Sequence, residues 1–170
     1  MEEQFQPILK AMSERFGARA SEFHGEVTLV VAKEKITEIC RVLRDEFGFD
    51  TLPVETAVDY YPQTEPRFHV VYVLYSTRTH TYLNLRAGVN AENPEIETVE
   101  GVFPGANWRE REIWDLFGIH FSGHSDLRRI MMPPNWEGHP LRKDYPLGYE
   151  EVQFTFNFDE IQVQKPRGLR

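Results

Sequence analysis

The chain has 170 residues, 41% hydrophobic and 13% aromatic, with a formal charge of -8. This fits one domain with an apolar core and excludes a disordered chain, and the acidic balance speaks against a phosphate backbone as ligand. Cys40 is the single cysteine, which rules out an internal disulfide or a cysteine-bound cluster and points to a reducing compartment.

The opening MEEQFQ has neither the basic region nor the apolar run of an export signal. The longest strongly apolar stretch, VVYVLY at 70–75, falls far short of the roughly 20 residues that span a bilayer. The expectation is a protein soluble by itself, reaching a membrane only through other chains. Phe5, Ile8, Leu9, Met12 and Phe16 recur at helical spacing before Gly17, which predicts a first helix over 4–16. Strands are predicted near 19–23 and 27–32, with HGE as the turn. The segment 33–48 predicts a second helix, with Ile36, Ile39, Cys40, Leu43 and Phe47 on one face and Cys40 as a small core residue.

Three strands follow, in TAVDYY, RFHVVYVLYS and HTYLNLRAGV. The middle one is apolar on both faces, which predicts a central strand covered on both sides, with His69 a hydrogen-bonded sheet residue. The last alternates Leu83, Leu85 and Ala87 with Tyr82, Asn84 and Arg86, so it has one wet face. The expected fold class is α+β: a mostly antiparallel sheet with two packed helices, followed by a loop-rich, interface-forming C-terminal segment. The expected divisions are an α+β domain over 1–101, a signature helix and proline-rich docking segment over 102–150, and an extended arm over 151–170.

Residues 90–101 read as an acidic connector. In NWREREIWDLFGIHF, Asn107 is the expected N-cap with Glu110 in the capping-box position, and Gly118 closes the helix. Arg111 and Asp115 are spaced to pair across a turn. Ile113, Leu116 and Phe117 share a face, while Trp108 and Trp114 lie on different ones. An acid–base role for Glu110, Glu112 or Asp115 lacks a matched carboxylate pair and histidine on one face. A metal reading would use His120, His124 and His139 with Asp126 or Asp144. It supplies the alternative of a stand-alone metal-dependent hydrolase, although Gly118 and Gly123 interrupt the spacing. A small-ligand-binding α+β module is a third class.

The segment 126–149 is stiffened by Pro133, Pro134, Pro140 and Pro146, and it presents Arg128, Arg129, Arg142, Lys143, Trp136 and Tyr145. Such residues dominate binding hot spots, and a proline-fixed loop loses little entropy on docking. In the tail, Phe154, Phe156 and Phe158 alternate with polar residues as in a strand with one apolar face. The expected partner interface therefore takes in Arg109, Glu110, Trp114, Arg128, Arg129, Trp136, Arg142, Lys143, Tyr145, Phe154, Phe156 and Phe158.

The stretch GANWREREIWDLFGIHFSGHSDLRRIMMPPNWEGHPLRKDYPL closely resembles the signature region of the 30-kDa-type, or C-type, subunit family of respiratory complex I, the NADH:quinone oxidoreductase. The likeness rests on Glu110-Arg111-Glu112, Asp115 to Gly118, His124, Asp126 to Ile130, Trp136 to Pro140 and Leu141 to Pro146, with a weaker pattern upstream. It covers roughly residues 20–147. Ser125 stands where the family usually has proline. The resemblance implies a non-catalytic subunit in the peripheral arm of a proton-pumping translocase, on the cytoplasmic side of the plasma membrane. It implies packing on the 49-kDa-type (D-type) subunit, near the B-type subunit and the quinone site. It also implies that FMN, iron–sulfur clusters, NADH and quinone are held by other subunits and that this chain holds no cofactor. Related subunits in ferredoxin-linked complexes and membrane hydrogenases leave the electron donor open.

Overall fold

Leu83, Leu85 and Ala87 on one strand and Phe68, Val70, Tyr72 and Leu74 on the next are fully buried, and they set the inner face of a sheet on which the helices close. The computed structural model describes residues 5–146. Helix α1 spans Gln6–Phe16, β1 Arg19–Phe23 and β2 Glu26–Val31. A single 3-10 turn, Lys33–Lys35, leads into α2, Ile36–Asp45. Strands β3 Thr51–Asp59, β4 Phe68–Ser76 and β5 Thr81–Val89 follow, then β6 Glu95–Glu97, α3 Ala106–Phe117 and β7 His120–Ser122.

The sheet order is β1-β2-β5-β4-β3. Neighbours are antiparallel except β2 and β5, which run parallel. The fold is thus α+β with a mostly antiparallel sheet, as expected. The α2 face is the one the spacing gives: Ile36, Ile39, Cys40 and Leu43 are all fully buried. His69 Nδ1 accepts a hydrogen bond from Arg86 Nε at 2.9 Å, so it is the sheet histidine that was expected.

Two expectations are corrected. Strand β4 is interior, paired on each edge as expected of a central strand, but among the described residues only one of its faces is fully buried. Val71, Val73 and Tyr75 are half-buried, because the core gathers on the Phe68–Leu74 side. The acidic connector also contains structure. Strand β6 pairs in parallel with β7 across α3, an association between distant segments that no local period announces.

Strand β3 is an edge strand among the described residues, and Pro53, which lacks an N–H, lies where its ladder slips between Thr51 and Val54. From there Glu55, Ala57 and Asp59 face inward opposite Tyr72, Val70 and Phe68. Helix α3 packs against β3, and Ile113, Phe117, Ile119 and Phe121 join the same core as α1 and α2.

Candidate partner-docking surface

Helix α3 starts at Ala106 after Gly105, without a side-chain cap. Asn107, the expected cap, instead donates from Nδ2 to Glu100 Oε1 at 2.8 Å and to Ser125 Oγ at 3.2 Å. Ser125 donates its main-chain N–H and its hydroxyl to the same Glu100 carboxylate. A proline there would have no N–H to give. Glu110 does not reach back to a cap. It is fully buried, and it accepts from Thr98 Oγ1 at 2.5 Å and from the Val99 N–H at 2.7 Å. Burial raises its pKa, and those two hydrogen bonds work against the rise. Its expected place on a partner-facing ridge is therefore corrected: the side chain staples the 98–99 backbone to α3.

The C-terminal half of α3 is wrapped by residues 126–146. Arg111, expected to pair with Asp115, donates instead to the Arg128 carbonyl at 3.2 Å and the Arg129 carbonyl at 3.4 Å. Asp115 is fully buried and takes Arg129 Nη1 at 2.5 Å. Its other oxygen accepts three consecutive N–H groups, of Ile130, Met131 and Met132, at 3.0, 2.8 and 2.8 Å. Burial opposes ionisation of Asp115, but the Met132 N–H, the Arg129 guanidinium and the other two amides outweigh it and hold the carboxyl below its ordinary range. Arg129 Nη2 reaches on to the carbonyls of Trp136 and Gly138.

Beyond the end of α3, Arg142 Nε donates to the Phe117 carbonyl at 2.5 Å and Nη2 to Gly118 at 3.3 Å. A cation there satisfies open carbonyls and complements the negative end of the helix dipole. The Leu141 N–H closes on the Leu116 carbonyl. The segment is then tied to the sheet. Arg67 bridges Asp59 and Asp144, with Nη2 at 2.8 and 2.6 Å from them, and the Lys143 N–H donates to Asp59. Burial works against the charged form of Asp59, yet Arg67 and the Lys143 and Tyr61 amides bring its pKa down to about 2. Arg67 also holds Asp144 below its usual range.

These bonds sort the expected interface residues. Arg129 and Arg142 are half-buried and spent on α3, so they build the surface rather than present it. Trp114 is half-buried under the Arg129 guanidinium, 5.8 Å from the ring centre. Trp136 and Tyr145 are half-buried, and Tyr145 Oη donates to the Glu137 carbonyl. Arg109 is half-exposed, while Arg128, beside Asp126 at 2.9 Å, and Lys143 are exposed. Phe154, Phe156 and Phe158 lie outside the described residues. Missing from the expected set are the exposed apolar groups: Trp108, 62% exposed with Arg111 over its ring, Met131 at 61% and Leu141 at 51%. In the sequence Trp108 is marked by lying on a different helix face from Trp114; Met131 and Leu141 carry no period that would place them.

The histidines of the hydrolase reading do not converge. His124 Nε2 donates to the Asn107 carbonyl, and its Nδ1 accepts from the Asp126 N–H. His139 Nδ1 donates to the Asp115 carbonyl. Those two carbonyls are eight residues apart along α3, about 12 Å at the helical rise. His120 lies beside Glu95 at 3.6 Å. Among the described residues no group of three His, Cys, Asp or Glu side chains could hold a metal ion, and no helix is long and apolar enough to cross a membrane.

Residues 29–151 match the family model described as respiratory-chain NADH dehydrogenase, 30 Kd subunit. The C-type subunit of NADH-quinone oxidoreductase from Roseiflexus sp. (strain RS-1) is 49% identical over 149 residues, 86% of this chain and 85% of that protein. Its counterpart from Geobacter sulfurreducens (strain ATCC 51573 / DSM 12127 / PCA) is 48% identical over 150 residues, 86% of this chain and 92% of that one. Among solved structures, the trypsin-resistant fragment (1-134) of Nqo5 superposes with a TM-score of 0.65 at 32% identity, covering 73% of this chain and 99% of the fragment. A chain of the membrane-bound sulfane sulfur reductase, an archaeal respiratory membrane complex, shares the fold, with a TM-score of 0.70 at 21% identity over 86% of this chain and 87% of its own. A helix and wrapping segment joined by the very residues that carry the sequence resemblance, with these relatives, establish that the chain belongs to the 30-kDa subunit family of respiratory-chain NADH dehydrogenase.

Proposed function

We propose that this chain is a cofactor-free structural subunit of the peripheral arm of a proton-pumping NADH:quinone oxidoreductase. In this reading it packs on the 49-kDa-type (D-type) subunit, close to the B-type subunit and the quinone module, on the cytoplasmic side of the membrane. Redox chemistry belongs to the other subunits, and this chain contributes shape and adhesion.

One observation carries the reading. Arg111, Asp115, Arg129 and Arg142 are spent in holding residues 126–146 against α3, and what faces outward on this fixed backbone is large apolar side chains among charges of both signs, Arg128 and Lys143 with Glu112, Asp126 and Glu137. Trp108, Met131 and Leu141, exposed with Arg128 and Lys143 among them, are of the residue types that anchor binding hot spots inside a polar rim. Backbone fixed beforehand loses little entropy when a partner binds.

The test is co-expression with the D-type and B-type subunits of the same source. Arg128→Glu with Lys143→Glu should leave the isolated chain's melting temperature within the spread of replicates and sharply reduce its recovery with a tagged D-type subunit. Recovery equal to wild type would remove this face from the interface. Arg142 is unsuited to that test, because reversing its charge would break the end of α3.

A further inference from the structure

Beneath α3 the inner face of β3 carries two carboxyls with opposite fates. Asp59 is matched by Arg67. Glu55 has no such match among the described residues: both of its oxygens are buried without a hydrogen-bond partner there, and so is the hydroxyl of Tyr72, its direct neighbour across the β3–β4 ladder. Directly opposed residues place their Cβ atoms about 4.5–5.5 Å apart, so the carboxyl and the hydroxyl rise side by side from one buried face of the sheet. A lone carboxylate is too costly to keep in such a place, and the group takes a proton instead. As an acid, Glu55 is both donor and acceptor, and it can satisfy Tyr72 and itself.

The titratable groups that face it come from three further elements. Tyr72 is on β4, Cys40 on α2, and Glu110 and Arg109 on α3. Glu110 is negative or neutral, and Arg109, the one cation facing it among the described residues, is half-exposed. Burial first, then Glu110, raise the Glu55 pKa well above that of an ordinary glutamate, with Arg109 opposing. Burial and the same carboxyl also push the Tyr72 hydroxyl up, and Cys40 is raised by burial.

We propose that Glu55 and Tyr72 form an internal proton-binding site under α3, in which Glu55 is held as the carboxylic acid and loss of its proton loosens the seat of α3 on β3. Helix α3 carries the wrapping segment, so proton occupancy of this site is linked to the hold on the docking surface. The proposal does not depend on which partner that surface meets.

The sign follows from linkage. Above the ordinary glutamate value of about 4.3, the unfolded chain has released a proton that the folded chain retains. This site's contribution to stability therefore falls as pH rises, until the folded pKa is passed. Urea unfolding of the full chain, wild type against Glu55→Gln, isolates it between about pH 5 and pH 8. The ratio of folding constants, variant over wild type, should climb with pH, approaching tenfold per unit. A ratio flat across that range overturns the site. Carbon-13 labelling of glutamate carboxyls in the wild-type chain gives a reading that needs no change at position 55, with Glu110→Gln removing the other buried glutamate from the spectrum. A carboxyl that keeps its proton above the ordinary glutamate range supports the site, and ionisation of every glutamate within that range overturns it.

Discussion

Asp115 and Arg129 meet at 2.5 Å beneath the wrapping segment, and the same carboxylate holds the three amides that follow Arg129 in the chain. One buried side chain thus fixes both the direction of the segment and the pitch of its first turn. The pair is shielded by α3, so its removal leaves an uncompensated guanidinium and three unbonded amides.

Asp115→Ala should therefore cost about 3–5 kcal/mol, the usual penalty for breaking a buried ion pair from one side. The loss should appear first as detachment of residues 128–142 rather than as global unfolding, because the sheet core does not use this pair. Hydrogen exchange of the Ile130, Met131 and Met132 amides should accelerate by orders of magnitude while the β4 and β5 amides stay protected. Uniform acceleration across both would show that segment and core are one cooperative unit.

Acid should release the same segment from its far end. Asp59 has a folded pKa of about 2, below the ordinary aspartate value of about 3.9. The stability it contributes is complete above the unfolded value and is lost as pH falls through the folded one. Asp144 is lowered in the same sense by Arg67. Between about pH 4 and pH 2 the Arg67 bridge should fail, and the fluorescence of half-buried Trp136 should report it. In Asp59→Asn the transition should be weaker and the chain less stable at neutral pH. An unchanged acid transition in that variant would assign acid lability to other carboxylates.

The elements that could be read from sequence are those whose signal is local. Helix α2 is written in the spacing of Ile36, Ile39, Cys40 and Leu43, and β5 in the alternation of Leu83, Leu85 and Ala87. The parallel pairing of β2 with β5 and of β6 with β7 depends on segments far apart, and it left no mark. The charges of α3 misled for a related reason. Spacing offers Asp115 to Arg111 and Glu110 to the helix start, but each found a stronger partner outside the helix. Asp115 gained a cation and three amides at once, and Glu110 gained the Thr98 hydroxyl and Val99 amide. The resemblance marked the residues that join α3 to the segment after it, while their division into buried and exposed depended on burial that only the fold supplies.

Ser125 shows a local substitution with a structural consequence. Its N–H and hydroxyl both end on Glu100, whose carboxyl they hold below its ordinary range. Ser125→Pro removes both donors and should destabilise the chain by about 1 kcal/mol, near the net worth of a typical hydrogen bond. Thermal melts should show the loss in the wild-type background and almost none when Glu100→Ala is already present.

Trp108 separates folding from recognition. It is 62% exposed and outside the core, so Trp108→Ala should change stability by no more than about 0.5 kcal/mol. If it anchors a partner, the same change should weaken association by about 2 kcal/mol or more, some thirtyfold in the dissociation constant. Affinity for the D-type subunit equal to wild type would place Trp108 outside the contact.

Gly118 and Gly17 offer a matched pair. Both end a helix in the left-handed region, at φ 72° and 67°, where any Cβ costs about 1–2 kcal/mol. At Gly17 the added methyl meets open space, so Gly17→Ala should lose the backbone contribution alone. At Gly118 the methyl would run into the Arg142 guanidinium and the His139 ring. Those two groups hold the segment to the end of α3, through the Phe117 and Asp115 carbonyls. Gly118→Ala should thus lose the same backbone contribution and displace both clamps, for a total above about 3 kcal/mol. Chemical denaturation of the two variants gives the comparison directly. Equal losses would mean that the His139 and Arg142 contacts yield freely and do not fix the segment. A larger loss at Gly118, with earlier proteolysis between residues 128 and 142, would show that the helix end and the wrapping segment are held by the same few atoms.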